Sequence, residues 1–180
     1  MRKVLFILGG LSDLDVDWMI ANGRREQVPR GSVLIEEGQP LSALYIVLDG
    51  LFRVSLRRSG NRGLARLGAG EIAGEISFID GRVPSATVTV MEPGVVLSLP
   101  TLILKRKLAE DGGFAARFYC AMATFLADRL RQTDLRFGND EQTTLLGREE
   151  AADELDMKTL DNVALAGARF DRMLKRLMGG

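Results

Sequence analysis

The spacing of the apolar residues changes at Pro100, and this change limits what the chain can fold into. Before Pro100 the apolar residues stand in short β-branched or alternating runs between glycine-rich turns, as β-strands require. After Pro100 they recur every three or four positions, as on one face of an α-helix. Short strands with turn signals every eight to twelve residues predict an antiparallel β-barrel or jelly roll. The expected fold class is therefore α+β, with the barrel flanked by an N-terminal helix and a long C-terminal helix.

The strand signals have clear positions along the chain. They fall at residues 33–35, 44–48, 51–56, 88–90 and 95–99. The pair Asp49-Gly50 separates two of these runs and predicts a tight hairpin turn between them.

A long helix at residues 114–137 dominates the helical part of the chain. Its apolar stripe contains Phe114, Phe118, Ala121 and Phe125, and neighbouring apolar residues widen this stripe. Because so much of its surface is apolar, we expect the helix to pack on two sides, against the barrel and against a partner helix. Shorter helices are expected at residues 15–23 and 102–108.

The end of the chain predicts a second amphipathic helix at residues 160–177, after a polar linker or weak helix at residues 139–156. Residues 138–180 carry more acidic than basic side chains, whereas a DNA-reading module is normally basic. We interpret the basic cluster of this helix as a solvated face. It consists of Arg169, Arg172, Lys175 and Arg176.

The composition excludes several classes of function. The 180 residues include 24 basic and 24 acidic side chains, so the zero net charge indicates no general attraction to nucleic acid or to a membrane. No histidine is present, which removes the commonest metal sites and histidine acid–base catalysis. The one cysteine, Cys120, lies mid-helix among apolar neighbours, and we interpret it as a buried, inert thiol.

No residue pattern pairs a nucleophile with a base, so we expect no enzyme activity, no cofactor and no metal site. No apolar run approaches the ~20 residues that span a bilayer. The apolar run near the N-terminus is also shorter than the ~7 residues that a signal peptide needs at minimum. We therefore expect a cytoplasmic protein.

The most informative stretch is residues 68–90, which is rich in glycine and small residues. Gly74 followed by a short helical turn would present free backbone N–H groups, which bind anions such as phosphate. Ser85 and Ala86, on the segment that follows, are small enough to let a ligand approach closely. The alternative interpretation is a tight corner of the barrel that binds nothing.

In order and spacing, four segments make the sequence resemble the cyclic nucleotide-binding domain family, which includes the sensor domains of CRP/FNR-type regulators. They are LIEEGQ at 34–39, LYIVLDG at 44–50, LGAGEIAGEISFI at 67–79 and PSATV at 84–88. The resemblance covers about residues 10–137. It implies a jelly roll of the double-stranded β-helix type and a dimer helix at 114–137. Residues 138–180 would form a helical extension beyond the family's domain.

In this family the glycine-rich run is a phosphate-binding cassette, so the resemblance implies cAMP, cGMP or another small anion as the ligand. It also implies that Glu75 accepts a hydrogen bond from the ribose 2′-hydroxyl, while the backbone beside it, Ser85 and Ala86 meet the phosphate. By position, Thr133 would contact the base. The candidate ligand-binding residues are Gly74, Glu75, Ile76, Ser77, Arg82, Ser85, Ala86 and Thr133.

The sequence departs from the family pattern in two places. The cassette usually has an arginine just before its small residues, and Pro84 stands there instead. Loss of that charge-assisted contact would cost about 1.5–3 kcal/mol, roughly ten- to a hundredfold in affinity. Arg82 is the candidate replacement. The residues after 137 are also too few for the winged helix-turn-helix with which CRP/FNR-type regulators continue.

Three functions are compatible with these residues. The first is a regulatory module that binds a ligand in the barrel and signals through helix 114–137 of a homodimer. The second is a dimerisation or protein-interaction module with a degenerate pocket. The third is a truncated CRP-like transcription regulator in which residues 157–177 act as a minimal helix-turn-helix, although the charge balance does not favour nucleic acid as a partner.

Overall fold

The computed structural model describes residues 4–57, 63–138 and 157–179, and within them the side chains of residues 7–57, 63–130 and 164–179. The helices are α1 (Val4–Gly10), α2 (Asp13–Asn22), α3 (Glu75–Asp80), α4 (Thr101–Glu110), α5 (Gly112–Gly138) and α6 (Met157–Met178). The strands are β1 (Arg24–Val28), β2 (Val33–Ile35), β3 (Ala43–Ser55), β4 (Gly63–Leu67), β5 (Ile72–Ala73) and β6 (Thr87–Pro100). The linker expected at 139–156 lies outside the described residues. Across the described ranges, every helix is too short or too polar to cross a bilayer.

The described strands form one antiparallel sheet in the order β1-β6-β3-β4. β2 adds to β6, and β5 adds to β3. The long strands β3 and β6 pair from Ala43 against Pro100 to Ser55 against Thr87. The sheet with its flanking helices confirms the α+β, jelly-roll class, but the sheet does not close into a barrel.

The prediction of a hairpin turn at Asp49-Gly50 is wrong, because β3 continues through this pair without reversing direction. The register of the β3–β6 pairing shifts on both sides of Asp49. Gly50 has a φ of +96°, and a Cβ at that position would come within 2.7 Å of the Gly94 Cα. The Asp-Gly pair therefore encodes a bulge where two strands approach closely, and such bulges bend a strand instead of ending it.

Strand β1 carries four polar residues in its sequence RREQV, so it gives no apolar signal and was not expected. Its backbone is held by β6, with Arg24 opposite Ser98 and Val28 opposite Gly94. This strand forms because β6, which is longer, offers it backbone hydrogen-bonding groups. The side chains of β1 do not indicate this pairing, so its sequence alone does not predict a strand.

Apolar side chains pack on both faces of the sheet. On one face, Leu44 and Ile46 of β3 join the helices in the larger cluster. On the other face, Tyr45 and Val47 alternate with them and join a second cluster. We call this the inner cluster; it contains Ile35, Ala43, Tyr45, Val47, Phe52, Val54, Leu67, Ala73, Val88, Val90 and Val96.

Helix α5 lies at the centre of the larger cluster. Its predicted stripe is buried throughout, at Phe114, Phe118, Ala121 and Phe125. The ring of Trp18 in α2 lies 5.4 Å from that of Phe114, and the ring of Phe78 in α3 lies 5.9 Å from that of Phe118. The apolar stripe of α5 therefore fixes α2 and α3 against the same helix.

Helix α6 packs across α1 and α2 and completes this cluster. Its residues Ala166, Phe170 and Met173 are at most 2% exposed, and they pack in one cluster with Ile7 and Leu8 of α1. The amphipathic helix predicted at the end of the chain is therefore confirmed, and it belongs to the core of the domain.

The interpretation of the α6 basic cluster as a solvated face holds for Arg172, Lys175 and Arg176, which are exposed, but it is wrong for Arg169, whose side chain is only 11% exposed. Arg169 donates to the Leu8 carbonyl oxygen at 2.8 Å, at the C-terminus of α1, and to Asp13 at 2.6 Å. Arg172 and Arg176 each pair with Asp17 of α2 at 2.6 Å. These ion pairs join the last helix to α2, so the three arginines of the cluster have partners inside the chain.

The interpretation of Cys120 as a buried thiol is also wrong, because the side chain is exposed. Cys120 lies two residues after Phe118, which turns it away from the buried stripe of α5. The neighbouring Tyr119 is 49% exposed on the same outer side.

Removal of the buried ring of α6 tests its place in the core. Phe170→Ala should lower the free energy of unfolding by about 3–5 kcal/mol, the usual cost of truncating a buried phenylalanine. Urea unfolding followed by circular dichroism measures this loss. Leu165→Ala is the matched control, since Leu165 is 43% exposed on the same helix. Equal losses in the two variants would contradict the packing of α6 on α1.

Candidate functional site

Helix α3 and the glycine before it form the first wall of the site. Gly74 caps α3 with a φ of +92°, a conformation that favours glycine. A Cβ at Gly74 would also come within 2.9 Å of the Leu41 Cδ1. Helix α3 begins directly after Gly74, so the short helical turn predicted there is confirmed. No side chain donates or accepts a capping hydrogen bond at Gly74.

A cavity of about 70 Å³ lies between α3, the segment before β6, and α5. We call it the Glu75 cavity. Most of its apolar floor belongs to the inner cluster. The floor residues are Ile35, Val54, Leu67, Ile72, Ala73 and Val88.

Glu75 and Arg129 both line this cavity and form an ion pair. The Arg129 Nη1 donates to the Glu75 Oε1, and the two residues are 54 positions apart in sequence. Glu75 is 3% exposed, and a carboxylate buried to that degree stays ionised only with a cation or hydrogen-bond donors beside it. The pair therefore links the start of α3 to the long helix α5.

Burial raises the pKa of Glu75, because the charged carboxylate loses its hydration. The positive charge of Arg129 opposes this shift, as do hydrogen bonds from the backbone of Glu75 and Gly74. The negative charge of Glu71 adds to the shift. Burial has the largest effect, so Glu75 takes up a proton more readily than an exposed glutamate does.

The opposite wall is the segment that precedes β6. The buried Pro84 accepts a 2.8 Å hydrogen bond at its carbonyl from the Gly38 N–H. The Thr87 hydroxyl accepts a 3.1 Å bond from the Glu37 N–H. These two bonds hold the segment against the loop after β2 and leave its small residues at the cavity.

The structure brings six of the eight sequence-predicted site residues together. Those lining the Glu75 cavity are Gly74, Glu75, Ile76, Ser77, Ser85 and Ala86. Arg82 lies elsewhere, because α3 ends at Gly81 and Arg82 follows on the side of α4, where it lines a separate cavity. The side chain of Thr133 lies outside the described residues. The ligand-binding roles of all eight stay predictions.

Sequence analysis missed Arg129, although it lines the cavity beside Glu75. One signal for it was present. Arg129 follows Phe125 by four residues, so it continues the buried stripe of α5 with a charge. A charge at such a position needs a partner, and Glu75 is that partner here.

Comparisons with known proteins agree with this geometry. The family model described as the cyclic nucleotide-binding domain matches residues 25–111. The cyclic AMP receptor protein of Thermus thermophilus is 33% identical over 147 residues, which cover 79% of this chain and 62% of that protein. This chain therefore spans less than two thirds of the length of that relative.

Solved structures show the same fold. A cyclic nucleotide-binding domain from Methylobacillus flagellatus is 25% identical with a TM-score of 0.68, covering 80% of this chain and 85% of that one. The catabolite activator protein of Thermus thermophilus is 24% identical with a TM-score of 0.62, covering 96% and 86% of the two chains.

The fold and the comparisons define the class of protein as a domain of the cyclic nucleotide-binding type, with a jelly-roll sheet and a long helix beside it. Residues 25–111 match the cyclic nucleotide-binding domain family, and the chain is homologous to proteins of the cyclic AMP receptor type.

The raised pKa of Glu75 predicts a pH dependence of stability with a defined sign. Between pH 4.5, the ordinary pKa of a glutamate, and the raised pKa of Glu75, the folded chain holds a proton at Glu75 that the unfolded chain has lost. The free energy of unfolding of the wild type, relative to Glu75→Gln, should therefore fall as the pH rises through this window. Urea unfolding at a series of pH values measures the difference.

Asp15 provides the control with the opposite sign. Burial raises the pKa of Asp15, but hydrogen bonds from Arg117 and Ser12 outweigh burial and lower it from 3.8 to about 2. The stability that Asp15 contributes is fully present above pH 3.8, and it is lost as the pH falls towards 2. The wild type should lose stability relative to Asp15→Asn on acidification. The same sign of slope for both variants would contradict the assignment.

Proposed function

We propose that this chain is a regulatory, ligand-sensing domain that binds cAMP, cGMP or another small anion in the Glu75 cavity and signals through α5. The observation that carries this proposal is the pair of Glu75 and Arg129, which line one cavity from two different helices. A carboxylate suits a hydroxyl donor, and a guanidinium suits a phosphate. Both ends of a cyclic nucleotide's ribose phosphate therefore have a matching group.

In this proposal Arg129 makes the phosphate contact that the cassette arginine makes in the family and that Pro84 does not make. The backbone of residues 75–77 and the small residues Ser85 and Ala86 surround the phosphate. Glu75 accepts the hydrogen bond from the ribose hydroxyl, and Thr133 of α5 contacts the base.

The small volume of the cavity couples ligand binding to a movement of α5. Pockets that enclose small organic ligands measure ~300–1,000 Å³, whereas the Glu75 cavity measures about 70 Å³. Arg129 lines it from the side of α5 and pairs with Glu75. A nucleotide therefore requires the end of α5 to move away from α3, and this displacement is the proposed signal.

The outer side of α5 is the proposed homodimer surface, which we call the outer stripe. Its exposed residues recur at helical spacing and are mostly small or apolar. They are Ala116, Tyr119, Cys120, Ala123, Ala127 and Leu130. A second copy of α5 would cover this stripe while the phenylalanine stripe holds its own domain.

We keep residues 10–137 as the sensing domain with its dimer helix at 114–137, and residues 138–180 as the extension. Helix α6 shares one hydrophobic cluster with α1 and with residues of the 10–137 range, so in this proposal the extension stabilises the sensing domain. A cytoplasmic location stays a prediction.

A second candidate function is an interaction module with a degenerate pocket. One observation favours it: Glu75 and Arg129 already satisfy each other while Pro84 stands at the cassette position. The cavity would then be a braced corner, and the dimer would be the functional unit. A truncated transcription regulator is less favoured, because Arg169, Arg172 and Arg176 pair with α2.

Calorimetric titration separates the two candidates. The sensing function predicts measurable heat when cAMP or cGMP is added at millimolar concentration. Arg129→Gln should weaken the affinity by about ten- to a hundredfold, because a charge-assisted hydrogen bond contributes about 1.5–3 kcal/mol. Arg25→Gln is the control, since Arg25 is exposed on β1 and does not line the cavity. No heat from the wild type would exclude cAMP and cGMP as the ligands of the cavity and would favour the second candidate function.

A charge on the outer stripe tests the homodimer. Ala123→Glu should shift the protein towards monomer in sedimentation equilibrium, because two glutamates would face each other across the helices. Ala109→Glu adds the same charge to an exposed position on α4 and should leave the association unchanged. A wild type that sediments as a monomer at micromolar concentration would contradict the proposed surface.

A further inference from the structure

A second cavity lies on the other side of α3, and it is separate from the Glu75 cavity. It measures about 210 Å³ and lies between the end of α3 and the beginning of α4. We call it the α3–α4 cavity. Leu41 and Phe78 are among its apolar walls, and Ser77 lines both this cavity and the Glu75 cavity.

Two cations and no carboxylate line the α3–α4 cavity. The cations are Arg82 and Lys105. Among the described residues, neither side chain takes part in an ion pair, whereas Arg117, Arg129 and Arg169 all do. Asp80 is close to Arg82 in sequence, but its carboxylate accepts the backbone N–H of Arg82 at 2.9 Å and does not line the cavity. Two exposed cations therefore border a concave space, and neither has an ion-pair partner among the described residues.

The rim of this cavity is fixed by the start of α4. The Thr101 hydroxyl donates to the Ser42 carbonyl oxygen at 3.2 Å, and the Thr101 N–H donates to the same oxygen at 2.9 Å. The first turn of α4 contains no acidic residue, so the helix dipole adds to the positive potential of the two side chains.

We propose that the α3–α4 cavity binds a phosphate group, free or as a small phosphate monoester, between Arg82 and Lys105. Proteins commonly bind phosphate with arginine and lysine. The guanidinium group donates two parallel hydrogen bonds, and the ammonium group supplies a compact positive charge. The volume lies below the ~300 Å³ of pockets that enclose larger organic ligands, so the site takes a phosphate with at most a short substituent. Arg82, which the sequence assigned to the nucleotide, serves this second site instead.

Phosphate in this cavity would tie α3 to α4. Arg82 follows the end of α3, while Lys105 lies on α4, so one bound anion would bridge the two elements. Since α3 also carries Glu75, occupancy of the α3–α4 cavity would restrain the wall of the other cavity. The binding of phosphate itself does not depend on any nucleotide function of that cavity.

The test is a titration of the isotope-labelled full chain with inorganic phosphate, followed by proton–nitrogen correlation spectra at constant ionic strength. The amides of residues 81–83 and 101–105 should show saturable shifts. Arg82→Gln and Lys105→Gln should each weaken the apparent affinity by about fivefold, the effect of losing an exposed ion pair of ~1 kcal/mol. Arg106→Gln is the matched control, because Arg106 is exposed beside Lys105 and does not line the cavity.

A parallel titration with glycerol phosphate distinguishes the sources of the phosphate group. Saturable binding of either form at these amides supports the site, and the tighter of the two identifies its ligand. The proposal is overturned if neither form gives saturable shifts. It is also overturned if Arg106→Gln weakens binding as much as Lys105→Gln does, because that result means general attraction to a basic surface.

Discussion

The apolar stripe of α5 is the constraint on which the rest of the structure depends. Phe114 packs on Trp18 of α2 and Phe118 packs on Phe78 of α3, so one helix positions two others. The same side of α5 continues to Arg129, which pairs with Glu75 at the start of α3. Because α3 is held to α5 at both places, a ligand that binds beside Glu75, as proposed, would act on the long helix directly.

In the proposed function, the ion pair of Glu75 and Arg129 is the contact that a ligand of suitable chemistry would replace. Separation of the pair would leave a buried carboxylate without its cation, and such uncompensated buried charges are costly. A cyclic nucleotide offers a replacement for both lost contacts, a hydroxyl for Glu75 and a phosphate for Arg129. A neutral or hydroxyl-free molecule offers at most one of them. The pair would therefore select the ligand as well as hold the helices together.

The features that the sequence predicted well depend on local periodicity, and those it missed depend on distant partners. Strand β2, the stripe of α5 and the turn after Gly74 follow from spacing and glycine. Strand β1 takes its hydrogen bonds from β6, and Asp49-Gly50 forms a bulge because β6 lies alongside. Cys120 is exposed because it lies two residues after the buried Phe118, which places it on the opposite side of α5. Arg129 was missed because its partner is 54 residues away.

The most direct test of nucleotide sensing is a crystal structure of the chain grown with saturating cAMP. The proposed mechanism predicts density for the nucleotide in the Glu75 cavity, with Arg129 on the cyclic phosphate and Glu75 on the ribose hydroxyl. It also predicts that the end of α5 lies farther from α3 than in the ligand-free chain. An empty cavity at saturating nucleotide, with the Glu75–Arg129 pair intact, would contradict it.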